Sequence, residues 1–113
     1  MKKIFLIKFF IISFFFPNIS LSNELGLGKE VAETICAACH GVDGRAVSGG
    51  NSALVPNIFA QNKDYLVVKL NEYKSGKINH AQMSLIAQML TEEQILNVSE
   101  WYSKISVELK LPE

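Results

Sequence analysis

Apolar residues recur at helical intervals in four stretches of this chain. Val31, Ala32 and Ile35 share one face and predict a helix over residues 29–36. Leu66, Leu70 and Tyr73 stand at i, i+4 and i+7, with Tyr65 alongside. Asn62 can cap that helix, Asp64 suits its first turn, and Gly76 lies where a C′ glycine ends a helix. Met83, Leu85, Ile86, Met89 and Leu90 predict a short apolar turn or helix. The last stretch places Ile95, Val98, Trp101 or Tyr102, and Ile105 at helical spacing. Thr91 and Gln94 ahead of it form a capping box, and Lys104 and Lys110 fall near its end. Between these stretches lie a two-glycine leader at 23–28, a glycine-rich loop at 41–57 that Pro56 helps to end, and an exposed connection at 77–82. The pattern predicts an all-α chain of about four helices, with no internal repeat and no second domain.

Residues 4–16 depart from this amphipathic pattern. They are apolar except for Lys8 and Ser13, with Lys2 and Lys3 before them and Pro17 after. Ser20 and Ser22 then put small residues at the −3 and −1 positions of a cleavage site. Charge, short apolar run and small residues, in that order, make a secretory signal peptide. Thirteen apolar-run residues cover only about 20 Å of a roughly 30 Å hydrocarbon core, which favours cleavage after Ser22 over a retained anchor. The expected organisation is a cleaved signal peptide at 1–22 and one domain at 23–113.

Losing that leader changes the composition. The full chain of 113 residues balances 11 basic against 11 acidic side chains. Lys2, Lys3 and Lys8 leave with the leader and no acid does, so the mature chain is net acidic by three charges. A net acidic surface argues against nucleic acid as a partner. Six of the seven phenylalanines leave too, and only Phe59 stays. A domain this small is marginal without a staple.

The candidate staple is Cys36-Ala37-Ala38-Cys39-His40, a C-x-x-C-H sequence. Two thiols at this spacing can form thioethers with the two vinyl groups along one porphyrin edge. The following histidine then lies where its imidazole can ligate the iron. A thioredoxin-like thiol pair would follow a strand and open a helix, whereas here a helix runs into Cys36 and no βαβ pattern exists. Zinc would need Cys39 and the adjacent His40 on one tetrahedral ion, or His80 besides, and there is no second C-x-x-C. Covalent heme c is therefore the expected cofactor. For a second axial ligand the mature chain offers Met83, Met89 and His80. Met89 adjoins Leu90 and the last helix and reads as core, Met83 follows a polar loop, and His80 reads as an exposed loop residue.

Taken together, these features resemble a class I cytochrome c, of the small bacterial periplasmic monoheme type. The resemblance spans about 28–105: a helix, Cys36 to Gly41 with Asp43-Gly44 after it, Pro56-Asn57-Ile58, Tyr65-Leu66, Gly76-Lys77, Met83, and the aromatic pair Trp101-Tyr102 on a capped last helix. It implies a fold of about four helices wrapped around one covalent heme, with His40 as proximal and Met83 as distal iron ligand. It implies that the carbonyl of Pro56 accepts a hydrogen bond from His40. It also implies that the first and last helices cross, with Gly28 or Ala32 against Trp101. Two departures stand out: Ala32 lies near where relatives carry an aromatic, and Lys77 replaces a common arginine, losing bidentate geometry. The implied role is a periplasmic single-electron carrier, not an enzyme. It would move electrons between donor and acceptor proteins, such as a terminal oxidase, by transient docking that can include membrane complexes. The alternative is a heme-based sensor or ligand-binding protein with an open or weakly held sixth site.

Overall fold

The computed structural model describes residues 21–48 and 54–113. Most of the expected leader, residues 1–20, lies outside that range. Helix α1, Leu21–Val31, passes without a break into a π-helical segment, Ala32–Cys36, and then into the single turn α2, Ala37–His40. Helices α3 (Lys63–Lys74), α4 (Met83–Met89) and α5 (Glu92–Lys104) complete the order. Among the described residues there is no strand, and the all-α expectation holds.

The first helix starts well before residue 29. Gly26 and Gly28 read as loop punctuation because each costs a helix about 1 kcal/mol relative to alanine. Tertiary contact reverses that reading. A Cβ built on Gly28 would lie 2.8 Å from the Asn97 carbonyl carbon and 3.0 Å from Trp101 Cβ. Only glycine lets the backbone of α1 approach α5 this closely. The crossing buries Val31, Ala32, Ile95, Val98 and Tyr102, joined by Leu90, into the core. The implied crossing of first and last helices is present, and Gly28 is the residue at its contact.

Local signals fix the other helices. Thr91 Oγ1 accepts from the Gln94 amide at 3.1 Å, and Gln94 Oε1 accepts from the Thr91 amide at 2.9 Å, completing the expected box. Asn62 Oδ1 accepts from the Tyr65 amide at 3.0 Å and caps α3. Gly76, with φ of 77°, lies just past α3 in the left-handed conformation that glycine adopts at no steric cost. No residue of α3 is fully buried. Leu66, Val67 and Leu70 pack partly against the core, and Lys74 ties the helix to α5 by an ion pair with Glu92 at 3.0 Å. A second tie, Lys63 to Glu100 at 2.8 Å, joins the start of α3 to the far half of α5.

The 41–57 loop is more than surface turn. The Ile58 amide donates to the Gly44 carbonyl at 2.8 Å, and the Ala46 amide donates to Asn57 Oδ1 at 2.9 Å. Ala46 is buried. The two arms of the loop are thus sewn together. The Ala60 amide, bonded to the Tyr102 carbonyl at 3.0 Å, fastens the chain between this loop and α3 to α5.

Candidate heme-binding site

The helix that delivers Cys36 changes its winding just before it arrives. In the π segment the Ala37 amide reaches back five residues to the Ala32 carbonyl. Thr34 Oγ1 meanwhile donates to the Glu30 carbonyl at 2.7 Å. One extra residue per turn rotates everything downstream by roughly 100° about the axis. The turn that carries Cys36, Cys39 and His40 is thereby rotated relative to the α1 face that packs on α5, while Cys36 still packs against the core that α5 contributes to.

His40 ends this helix and is buried. Its Nδ1 lies 2.9 Å from the Pro56 carbonyl oxygen. A carbonyl only accepts, so Nδ1 donates, the ring proton is fixed there, and Nε2 keeps the free lone pair. That is the tautomer and orientation that metal-ligating histidines usually obtain from such a bond. The implied Pro56–His40 contact is present. Beyond His40 the backbone is clamped from α5: Tyr102 donates to the Gly41 carbonyl at 2.9 Å and Trp101 Nε1 donates to the Val42 carbonyl at 2.8 Å. Gly41 sits at φ of 73°, and a Cβ there would lie 2.5 Å from the Arg45 carbonyl oxygen.

Cys36 is half-buried and Cys39 exposed, and both are free thiols. Burial pushes the Cys36 thiol up to about 11, against the opposing pull of its hydrogen bond with Tyr102. A redox thiol needs the opposite, a pKa lowered toward neutrality. The thiol-oxidoreductase reading thus lacks its strand among the described residues, and at Cys36 it lacks a lowered thiol. Zinc fares no better: among the described residues no three His, Cys, Asp or Glu side chains gather as a metal site. Two free thiols one helical turn apart, beside an imidazole whose only open nitrogen is Nε2, fit a covalently attached, histidine-ligated heme.

The three candidates for the second ligand separate by burial and by helix face. Met83 opens α4 and is half-buried; Met89 closes it and is 70% exposed. Met89 therefore does not pack in the core as its neighbours suggested. Successive helical residues turn by about 100°, so Met83 shares its face with Ile86 and Ala87, while Met89 and Leu85 share the opposite one. Ala87 is fully buried and Leu85 is 63% exposed, which identifies the Met83 face as the inward one. His80 departs from expectation as well. It is half-buried, its ring stands edge-on to Tyr73 at 5.9 Å, and its Nδ1 accepts from the amides of Gln82 (3.3 Å) and Met83 (3.1 Å). With Nδ1 accepting, the ring proton sits on Nε2, and neither nitrogen offers a free lone pair. Lys77 Nζ pairs with Glu72 at 2.6 Å, as does Lys69, and the two cations hold the Glu72 carboxyl below its usual range.

Sequence reasoning passed over Asn57, the polar ends of Trp101 and Tyr102, and the Nδ1 of His80. A buried Trp or Tyr generally finds a partner for its N–H or O–H, and that rule alone pointed to the clamp on 41–42.

Comparison with known proteins bears on the same stretch of chain. The family model described as Cytochrome c matches residues 26–105. Cytochrome c-554(548) of Halomonas halodenitrificans is 35% identical over 85 residues, which cover 73% of this chain and 96% of that protein. The cytochrome subunit of sulfide dehydrogenase of Chlorobaculum tepidum is 29% identical over 77 residues, 68% of this chain and 66% of that protein. A thiosulfate dehydrogenase electron acceptor of Thiomonas intermedia is 33% identical over 70 residues, 62% of this chain but only 31% of its own length.

Proposed function

The chain belongs to the cytochrome c family, carries covalent heme c and serves as an electron carrier; on that premise we propose that it is a periplasmic single-electron shuttle with His40 and Met83 as axial ligands. The observation that carries the ligand assignment is the buried His40, whose Nδ1 is committed to the Pro56 carbonyl at 2.9 Å. When bound, the heme supplies a one-electron Fe(II)/Fe(III) couple. Cys36 and Cys39 would tether it, and the Pro56 carbonyl holds His40 in the tautomer that leaves Nε2 as the nitrogen able to ligate the iron. Met83, on the inward face of α4, brings a thioether, a ligand type that raises the potential of a c-type heme. Two protein ligands leave no position for a substrate, so the reading is a carrier rather than a catalyst.

Redox partner proteins are expected from the family. The names of two relatives, a sulfide dehydrogenase subunit and a thiosulfate dehydrogenase acceptor, support a dehydrogenase as donor. We propose a respiratory acceptor such as a terminal oxidase, reached by transient contacts below roughly 1,200 Å². Export to the periplasm rests on the charged, apolar and small-residue order of residues 1–22.

The test is spectroscopic. The ferric protein should show the near-infrared charge-transfer band of methionine–iron ligation, and the reduced protein should bind carbon monoxide poorly. Met83→Ala should abolish the band and open the iron to carbon monoxide, while Met89→Ala should leave both unchanged. A wild-type protein without the band that takes up carbon monoxide readily would instead be a ligand-binding heme protein.

A further inference from the structure

The helix that begins with Met83 lacks an ordinary cap. Gln82 contributes no side-chain hydrogen bond to it. The first amides of any helix have no partner within the helix and need one from outside. Here His80 supplies it. Its carbonyl accepts from the Ser84 amide at 3.0 Å, closing a turn just ahead of the first bond of α4, from the Ile86 amide to the Gln82 carbonyl at 3.0 Å. Its Nδ1 accepts from the amides two and three residues on, Gln82 and Met83, the pattern an N-cap oxygen makes. The contact is returned: the His80 amide donates to Ser84 Oγ at 3.0 Å, and Ser84 Oγ donates to the Ile78 carbonyl at 3.2 Å. The ring edge against Tyr73 then ties this cap to α3.

We propose that His80 is a positioning residue for the distal ligand: by capping α4 through Nδ1 it fixes the backbone of Met83 and so sets how firmly Met83 stays on the iron. This rests on Met83 being that ligand. A methionine at the first residue of a helix sits where fraying is greatest, and each time the cap opens the ligand is free to leave. The cap therefore controls the population of the Met-off state rather than the bond itself. Asn and Asp are the usual side chains for this role. Nδ1 of histidine stands the same number of bonds from Cα as Oδ1 of asparagine, which makes the exchange a conservative test.

The experiment uses the heme-loaded protein in four forms: wild type, His80→Ala, His80→Asn and Met83→Ala. Cyanide binding to the ferric form reads the Met-off population, the near-infrared band reads the Met-on population, and thermal unfolding is measured in parallel. His80→Ala should raise the apparent cyanide affinity about five- to tenfold, the range a lost cap implies. His80→Asn should restore both the band and the weak cyanide binding. Its melting temperature should recover only in part, because the Tyr73 contact is gone. If His80→Ala lowers the melting temperature yet leaves band and cyanide affinity at wild-type values, His80 is merely structural and the inference fails. It fails equally if His80→Asn behaves like His80→Ala. A wild-type protein without the band, unaffected by Met83→Ala, overturns the ligand assignment instead.

Discussion

Alanine at Gly28 sets two effects of opposite sign against each other, and the structure decides between them. Helix propensity alone favours the change by about 1 kcal/mol, since glycine loses more backbone entropy on folding. The new methyl, however, would meet the Asn97 carbonyl oxygen, with the carbonyl carbon at 2.8 Å and Trp101 Cβ at 3.0 Å. Those atoms belong to the backbone and the first side-chain carbon of α5, so no rotamer change clears them. Relief requires α1 to lift off α5, which loosens Val31 and Ala32 against Ile95 and Val98. Overpacking of this kind costs about 1–3 kcal/mol, and an unyielding obstacle puts it at the upper end. The net is about 1–2 kcal/mol of destabilisation, a fall of about 5–15 °C in Tm for a domain this size. Gly26 is the matched control, because nothing lies within 4 Å of a Cβ built there. Gly26→Ala should raise Tm by a few degrees. Thermal unfolding of both variants, loaded with heme and monitored by far-ultraviolet circular dichroism, makes the comparison. A Gly28→Ala protein as stable as Gly26→Ala would refute the close crossing and the reason given for glycine at 28.

Two further outcomes depend on single bonds. Asn57→Ala leaves the amide of buried Ala46 without its acceptor, and an unmade bond at a buried donor costs about 1–3 kcal/mol; urea unfolding should show that loss in the midpoint. Glu100 is held below the usual carboxylate range, chiefly by its hydrogen bond with Lys63. A depressed folded-state pKa contributes stability above the ordinary value of 4.5 that is lost as pH falls through the folded value. Glu100→Gln should therefore lower stability at neutral pH and flatten the profile below about pH 4.5, so that variant and wild type converge in acid. An unaltered acid limb in the variant would mean that the pair contributes nothing to stability.

The features legible in the sequence were those carried locally. Thr91 and Gln94, Asn62 and Gly76 declare their helix ends through bonds made within three or four residues, and the structure keeps each one. Cys36, Cys39 and His40 were legible for the same reason, since a fixed chemical spacing needs no tertiary context. The misreadings fall where a residue's meaning depends on a distant partner. Gly28 looks like a helix breaker until Asn97, 69 positions later, explains why no larger residue fits. Met89 looks like core because Leu90 beside it is core, yet one residue of helical rotation turns it outward. His80 looked like an exposed loop residue because histidine is an uncommon cap, and only the amides folding back onto Nδ1 reveal the function of the ring. Trp101 and Tyr102 were read for their apolar bodies, but it is their N–H and O–H groups that grip the backbone after His40. The helix interface and the ligand geometry are therefore one construction. The face of α5 that accepts Gly28 also carries the two donors that fix residues 41 and 42, so a shift of α1 on α5 must reach His40. Gly28→Ala should accordingly disturb the heme spectrum as well as the melting temperature, whereas Gly26→Ala, with nothing within 4 Å of its new Cβ, should leave the spectrum unchanged.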